Sequence, residues 1–419
     1  MAAIFEGVRI IDFSAHTSGP LAGALFADLG AEVIKVEPPV HGDDIRGLPP
    51  RIDGQNPNFM WNNRGKKSVT LDLKDPDGLE IAKKLIASAD AVLENFRPGV
   101  MKRLHLSYED VIQFKPDIVY CSLSAFGQFG PMATNPGFDI IIQARSGIMS
   151  MTGEPDGSPT KCGVVMADIV AAKDTFGAMC AALYHKLRTG EGQYIDMAML
   201  QSLTGMNLYL DHIALGRDPQ RRGKYHLSLS PYGIYEGKNG QAVVLAAYVD
   251  KHYYLLCDLM GHPELKTDPR TSTAAARVDN YLFVAKSINE WLSTFDNIDD
   301  AVELLSSKGI VCSKILSTKE AANDPQLLAH GGMVDIPAMP SMKHTKTWRG
   351  RGPWMRFSKT PVVMKRACEL GENNYDILGE LGISREEVDC LQNRWAEKYS
   401  KKGKYRNGGM DQCIPVLTC

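Results

Sequence analysis

Short apolar runs alternate with helix-period segments through the first third of the chain. Residues 8–13 (VRIIDF) predict a strand, 19–30 (GPLAGALFADLG) a helix closed by Gly30, and 32–37 (EVIKVE) a second strand. The rhythm returns in the strand 68–73 (SVTLDL), the helix 77–89, and the strands 91–96 (AVLENF) and 117–126 (DIVYCSLSAF). Repeated β-α-β units of this kind predict an α/β protein whose parallel sheet is covered by helices, with ligands bound at the carboxyl ends of the strands.

Helical spacing of apolar residues runs from Ile169 to Arg188, ahead of Gly190. A strand through QYIDMAM and a helix through LQSLTGMNLYLDHIAL follow. The character then changes. Residues 216–233 are polar and turn-rich, and YGIYEGKNGQAVVLAA predicts a hairpin around Asn239 and Gly240. Helices are expected at 249–260, 276–292 and 298–307, with a strand at GIVCSKIL and a helix ending around LLAHGG. Residues 335–365 predict a long extended return, followed by two short helices in NNYDILGELGISREEVDCLQ. Residues 397–419 lack periodicity and are expected to form a mobile tail.

At 419 residues the chain exceeds the ~250–300 at which single cores stop growing, so two domains are expected. Its 47 basic and 49 acidic residues leave no bulk charge to draw nucleic acid or a membrane surface. An anionic ligand then needs a local cluster of cations. No apolar run reaches the ~20 residues of a membrane span, and MAAIFEGVRIIDF lacks the pattern of a secretory signal, which predicts a soluble cytoplasmic protein. Nine scattered cysteines without a CxxC pair argue for reduced, mostly buried thiols and against a structural metal site.

The first strand-to-helix loop, FSAHTSGP, stands where a dinucleotide-binding protein carries its phosphate loop, yet it lacks GxGxxG, which argues against NAD or FAD. Lys74, Arg97, Lys102 and Arg103 follow strand ends that share one sheet edge, so they are placed to converge on phosphates, with Phe96 available to stack on a purine. Each taken alone is equally a solvated surface charge. Asp139 stands at the mouth of an apolar helical segment, and Asp168 in VVMADIVAA reads as the N-cap of a helix beginning at Ile169. Capping is compatible with chemistry: a helix N-terminus favours an ionised carboxylate, which attacks carbonyls.

The blocks GVRIIDFSAHTSGPLAGALFADLGAEVIKVEPP, GDDIRG, NRGKKSVTLDLKDPDG, ENFRPGVMKRL, YCSLSAFGQFGP, PGFDIIIQARSG, MTGEPDGSPTKCGVVMADIVA and RTGEGQYIDMAM strongly resemble, in order, the class III CoA-transferase family, which includes formyl-CoA transferase, carnitine CoA-transferase and the α-methylacyl-CoA racemases. The resemblance implies a Rossmann-like large domain from both chain ends (1–215 and 345–396), a smaller α+β domain (225–330), linkers at 216–224 and 331–344, and a homodimer of interlocked rings. It implies CoA and acyl-CoA as substrates with carboxylic acids as partners, no metal, and Asp168 as covalent nucleophile assisted by Asp139. The implied CoA contacts are Thr17, Ser18, Leu71, Asp72, Leu73, Lys74, Asn95, Phe96, Arg97, Arg103, Pro136, Gly137 and Phe138.

Departures from the family pattern narrow the reading. The racemases carry a histidine in a GHD motif, and here GFD puts Phe138 in its place, removing one partner of a two-base proton shuttle. The glycine-rich lid of formyl-CoA transferase has no counterpart after residue 220. That disfavours formyl or oxalyl substrates and leaves YHLSLSPYG (225–233) as a candidate substrate wall, with Arg221, Arg222, His226 and Trp348–Arg351 as candidate acid-binding groups. The expected activity is CoA transfer between carboxylic acids. An acyl-CoA racemase and a catalytically silent CoA-binding protein are the alternatives.

Overall fold

The computed structural model describes residues 3–401. Six strands, β1 (Arg9–Asp12), β2 (Glu32–Glu37), β3 (Lys67–Thr70), β4 (Ala91–Glu94), β5 (Val119–Ser124) and β6 (Tyr194–Ala198), form one sheet in the order β3-β2-β1-β4-β5-β6. All five pairings are parallel. This is the doubly wound order, in which the chain reverses direction between β1 and β4 and opens a crevice there.

Alternate strand residues face opposite sides of the sheet, and helices cover both. Ile11, Ile34, Val92 and Tyr120 join one core with Leu85 and Trp395, while Ile10, Val33, Leu93 and Cys121 join the other with Phe26 and Met179. That double burial explains why the strands read as near-continuous apolar runs.

The described residues divide into two compact units, 3–142, 165–205 and 330–401 against 143–164 and 206–329. The second unit therefore takes in residues 143–164, a segment expected to lie with the first. It contains a three-stranded antiparallel sheet of β7 (Tyr232–Glu236), β8 (Ala242–Ala246) and β9 (Val311–Lys314). Val243 and Leu245 point from that sheet into a core with Leu256, Ile288 and Leu305 from its helices. The expected β7–β8 hairpin is present, with Asn239 and Gly240 both at positive φ.

Four expectations need correction. The helix around Asp168 spans Met166–Thr189, so Asp168 lies in its first turn and Val165 is the N-cap. The 335–365 return contains an antiparallel pair, β10 (Met333–Pro337) with β11 (Thr347–Arg351), pinned by burial of Ile336 in the second of the two sheet cores. The last helix is long, Arg385–Lys401, because Val388 and Trp395 are buried on one of its faces. Residues 397–401 are accordingly helical, and the rest of the expected mobile tail lies outside the described residues. Among the seven described cysteines, all free thiols, three are buried, three half-buried and Cys390 is exposed.

Candidate active site

The loops after β1 and β4 meet at the crevice and are stitched together by one side chain. Asn95 accepts a hydrogen bond from the Ala15 backbone N–H and donates to its carbonyl oxygen, both at 2.8 Å. Helix Ser18–Asp28 begins directly beyond this loop, and a Cβ on Gly19 would fall 2.4 Å from Ser14 Cβ. Only glycine lets the helix start that close.

Buried charges hold the β1 loop from beneath. Lys66 pairs with Asp12 at 2.6 Å, both fully buried, and Asp12 accepts the Ser14 N–H at 2.9 Å. Lys35 donates to the Ser14 carbonyl at 2.7 Å and to Asp43 at 3.0 Å. Asp43 in turn accepts the backbone N–H of His16 at 3.1 Å, a residue held at φ 67°. Left-handed backbone at a histidine persists where its surroundings over-determine it, as these bonds do. Arg46 grips Glu37 through two nitrogens at 2.7 and 2.8 Å, and despite burial this holds Glu37 at about 2.

Above this network lies a cavity of ≈560 Å³ at the carboxyl ends of the strands. The expected CoA residues Leu71, Asp72, Leu73, Lys74, Asn95, Phe96, Arg97, Pro136, Gly137 and Phe138 all line it. Thr17, Ser18 and Arg103 do not. Lys102 and Arg103 are exposed on the one-turn helix Val100–Arg103, whereas Lys74 and Arg97 line the cavity. Ser18 is buried, and its hydroxyl favours the charged form of the Asp168 carboxylate.

Asp139 directly follows the cavity residue Phe138 and opens the helix Asp139–Arg145, as its sequence position suggested. Its carboxylate accepts the Ala167 N–H at 2.7 Å, which brings the two candidate catalytic acids side by side. The sequence argument expected the helix N-terminus to lower the pKa of Asp168. Instead burial, followed by the charge of Asp139, pushes Asp168 up to about 6, against the opposing effect of the Ser18 hydroxyl. Desolvation and a like charge both favour the neutral acid.

Several site residues escaped the sequence reading. His16 and His41 line the cavity, the His16 ring standing 6.2 Å from Phe138 in an edge arrangement. Glu94, at the end of β4, is 4% exposed and accepts the Phe96 N–H at 2.8 Å, which shapes the Asn95–Arg97 turn. Burial pushes Glu94 up to about 7, with Asp196 adding to the rise. A strand-terminal Glu before Asn and Phe was the available signal. In the second unit, Arg221 donates to the carbonyls of Ser150, Glu154 and Gly157, and Arg222 to those of His226, Leu227 and Val278. Both candidate acid-binding arginines are thereby engaged in bracing backbone. Among the described residues no group of three or more His, Cys, Asp or Glu could hold a metal ion, and no helix is long and apolar enough to cross a membrane.

A doubly wound sheet with an acid pair beside a deep strand-end cavity defines the class of site. The chain belongs to CoA-transferase family III, which it matches over residues 5–374. It is 38% identical to the succinate–glutarate CoA-transferase of Agrobacterium fabrum, over 90% of this chain and 95% of the relative. Identity is 36% to the acetyl-CoA:oxalate CoA-transferase of Acetobacter aceti, over 80% and 88%. A CAIB/BAIF family protein from Brucella suis has a similar solved structure, with TM-score 0.79 and 33% identity, covering 91% of this chain and all of that one.

Proposed function

We propose that this CoA-transferase moves CoA between dicarboxylic acids through a covalent aspartyl-CoA thioester on Asp168. The observation that carries the reading is the position of Asp168: first turn of a helix whose Ala167 N–H is held by Asp139, next to a cavity with Lys74 and Arg97 in its wall. Succinate and glutarate, the acids named for one relative, support small dicarboxylates on both sides of the reaction.

The sequence of bonds follows from thioester chemistry. Asp168 attacks the donor carbonyl, expelling CoA thiolate and leaving a mixed anhydride. The thiolate attacks the aspartyl carbonyl, releasing the donor acid and forming the aspartyl-CoA thioester. An acceptor carboxylate attacks that thioester to give a second anhydride and thiolate. Attack of this thiolate on the acceptor's own carbonyl forms the new acyl-CoA and frees Asp168. In this mechanism backbone N–H groups near Asp168 and in the Gly137–Asp139 turn steady the oxyanions. The apolar flanks Ala167, Ile169 and Val170 limit water at the intermediates.

Thr17, Ser18 and Arg103 are assigned no direct CoA contact in this reading, and Lys74 and Arg97 take the phosphates. The interlocked homodimer remains part of the proposal. It is supported in the first unit by exposed apolar side chains, among them Phe129, Ile140, Tyr184 and Leu187, which a second copy would cover. Incubation with succinyl-CoA, then hydroxylamine and peptide mass spectrometry, tests the covalent step. The expected product is a hydroxamate on Asp168; turnover that leaves Asp168 unmodified would overturn it.

A further inference from the structure

We infer that Tyr399, near the end of the last helix, is a specificity-determining wall for the nucleotide end of CoA, set in place by a latch between that helix and Asp72. The inference rests on the reading of the cavity as the CoA site. Tyr399 lies beyond residue 374, where the family match ends, yet it lines the same cavity as Asn95 and Phe138.

The helix Arg385–Lys401 is anchored by fully buried Trp395, which packs in the core that contains Leu71. From this anchor its side chains fasten the segment leaving β3. Gln392 donates to the Thr70 carbonyl at 3.0 Å and accepts the Thr70 hydroxyl at 2.8 Å. Arg394 pairs with Asp75 at 2.9 Å and Asp77 at 2.6 Å. Lys398 donates to one oxygen of Asp72 at 2.5 Å, and the Tyr399 hydroxyl to the other at 3.3 Å. Asp72 also accepts the Lys74 N–H at 3.1 Å and is 2% exposed. Its carboxylate is thus committed to shaping the loop rather than to a ligand. The Tyr399 ring meets the ring of His41, another wall residue, at 6.4 Å.

Strand order fixes which end of the ligand this wall meets. Ser18, whose hydroxyl favours the charged form of Asp168, follows β1, and Asp139 holds the residue before Asp168, so the thioester reacts on the β1 side of the crevice. The exits of β2 and β3, with His41, Asp72 and Tyr399, lie at the other edge. β3 is two strand positions from β1, roughly 10 Å at ~4.8 Å per strand. A thioester bound with its carbonyl at Asp168 therefore extends its nucleotide toward Tyr399. An aromatic ring is the natural partner for a purine face, and loss of such stacking costs about tenfold in binding.

The test compares succinyl-CoA with the succinyl thioester of pantetheine, which lacks the nucleotide, in wild type, Tyr399→Ala and Tyr399→Phe. The expected result is a fall of about five- to tenfold in the kcat/KM preference for CoA in Tyr399→Ala, expressed in KM. Tyr399→Phe, which keeps the ring, is expected to stay within about twofold of wild type by the same reasoning. An unchanged preference in Tyr399→Ala overturns the inference, and so does an equal loss on both thioesters, which would mark a structural role. Titration of wild type with CoA separates the two readings: binding without a Tyr399 effect sinks only this inference, whereas absence of CoA binding sinks the proposed function with it.

Discussion

The Asp139 carboxylate holds the backbone N–H of Ala167 at 2.7 Å, one residue ahead of Asp168. One acid thereby orients the start of the helix that carries the other, and its charge helps to raise Asp168 to about 6. Because attack requires the ionised form, kcat/KM should climb with pH through about 6 in the wild type. Asp139→Asn keeps an oxygen for Ala167 and removes the charge, so the acid limb of the profile should move to lower pH. A limb that stays in place would show that burial alone sets it.

Asp168 should cost the fold stability where it is ionised. Its folded value, about 6, exceeds the ordinary 3.8, so the native state holds the proton more tightly. The stabilising contribution is present below the unfolded value and is lost as pH rises through the folded one. Asp168→Asn, neutral throughout, should match wild type near pH 3.5 and exceed it at pH 8 by on the order of 2 kcal/mol. Urea denaturation at the two pH values measures this.

Glu94 is expected to act on CoA binding through the Asn95–Arg97 turn. Glu94→Gln retains an acceptor for the Phe96 N–H and should leave KM for CoA thioesters nearly unchanged. Glu94→Ala leaves that N–H unpaired in a partly buried turn, a loss of about 1–3 kcal/mol, and KM should rise severalfold. Steady-state kinetics on the pair distinguishes the bond from the charge.

The Asp12–Lys66 pair should be among the most sensitive positions outside the site. Both side chains are fully buried, so Asp12→Ala leaves an ammonium with only the Asn63 oxygen at 3.0 Å. Breaking a buried pair in this one-sided way costs about 3–5 kcal/mol. Chemical denaturation should show that loss, and the Ser14–His16 loop should become more susceptible to proteolysis.

No exchange of the α-proton of a chiral 2-methylacyl-CoA is expected in deuterated buffer. Phe138 supplies no base where the racemases carry histidine. His16, however, faces the same ring at 6.2 Å. Exchange abolished by His16→Ala would replace the transferase reading with proton transfer, and mass spectrometry of the recovered thioester decides it.

Much of the scaffold was legible along the chain. Strands such as 32–37 and the helix 298–307 are found where their apolar periods placed them, because burial on a sheet or helix face imposes a short-range repeat. The strand-end segments 71–74, 95–97 and 136–138 were identified from motifs, and all line the cavity. The last helix, expected to be short, runs to Lys401, and the packing of Val388 and Trp395 shows its length.

By itself, then, the sequence determined the β-α rhythm, the family and the loops that reach the sheet edge, since those depend on neighbours a few residues apart. Tertiary structure decided how the polar groups are used. Asn95 is joined to Ala15, Asp72 to a helix more than 300 residues downstream, and Asp139 to Ala167. It also reversed the expected direction of the Asp168 shift, because desolvation and the Asp139 charge arise from residues that folding brings together.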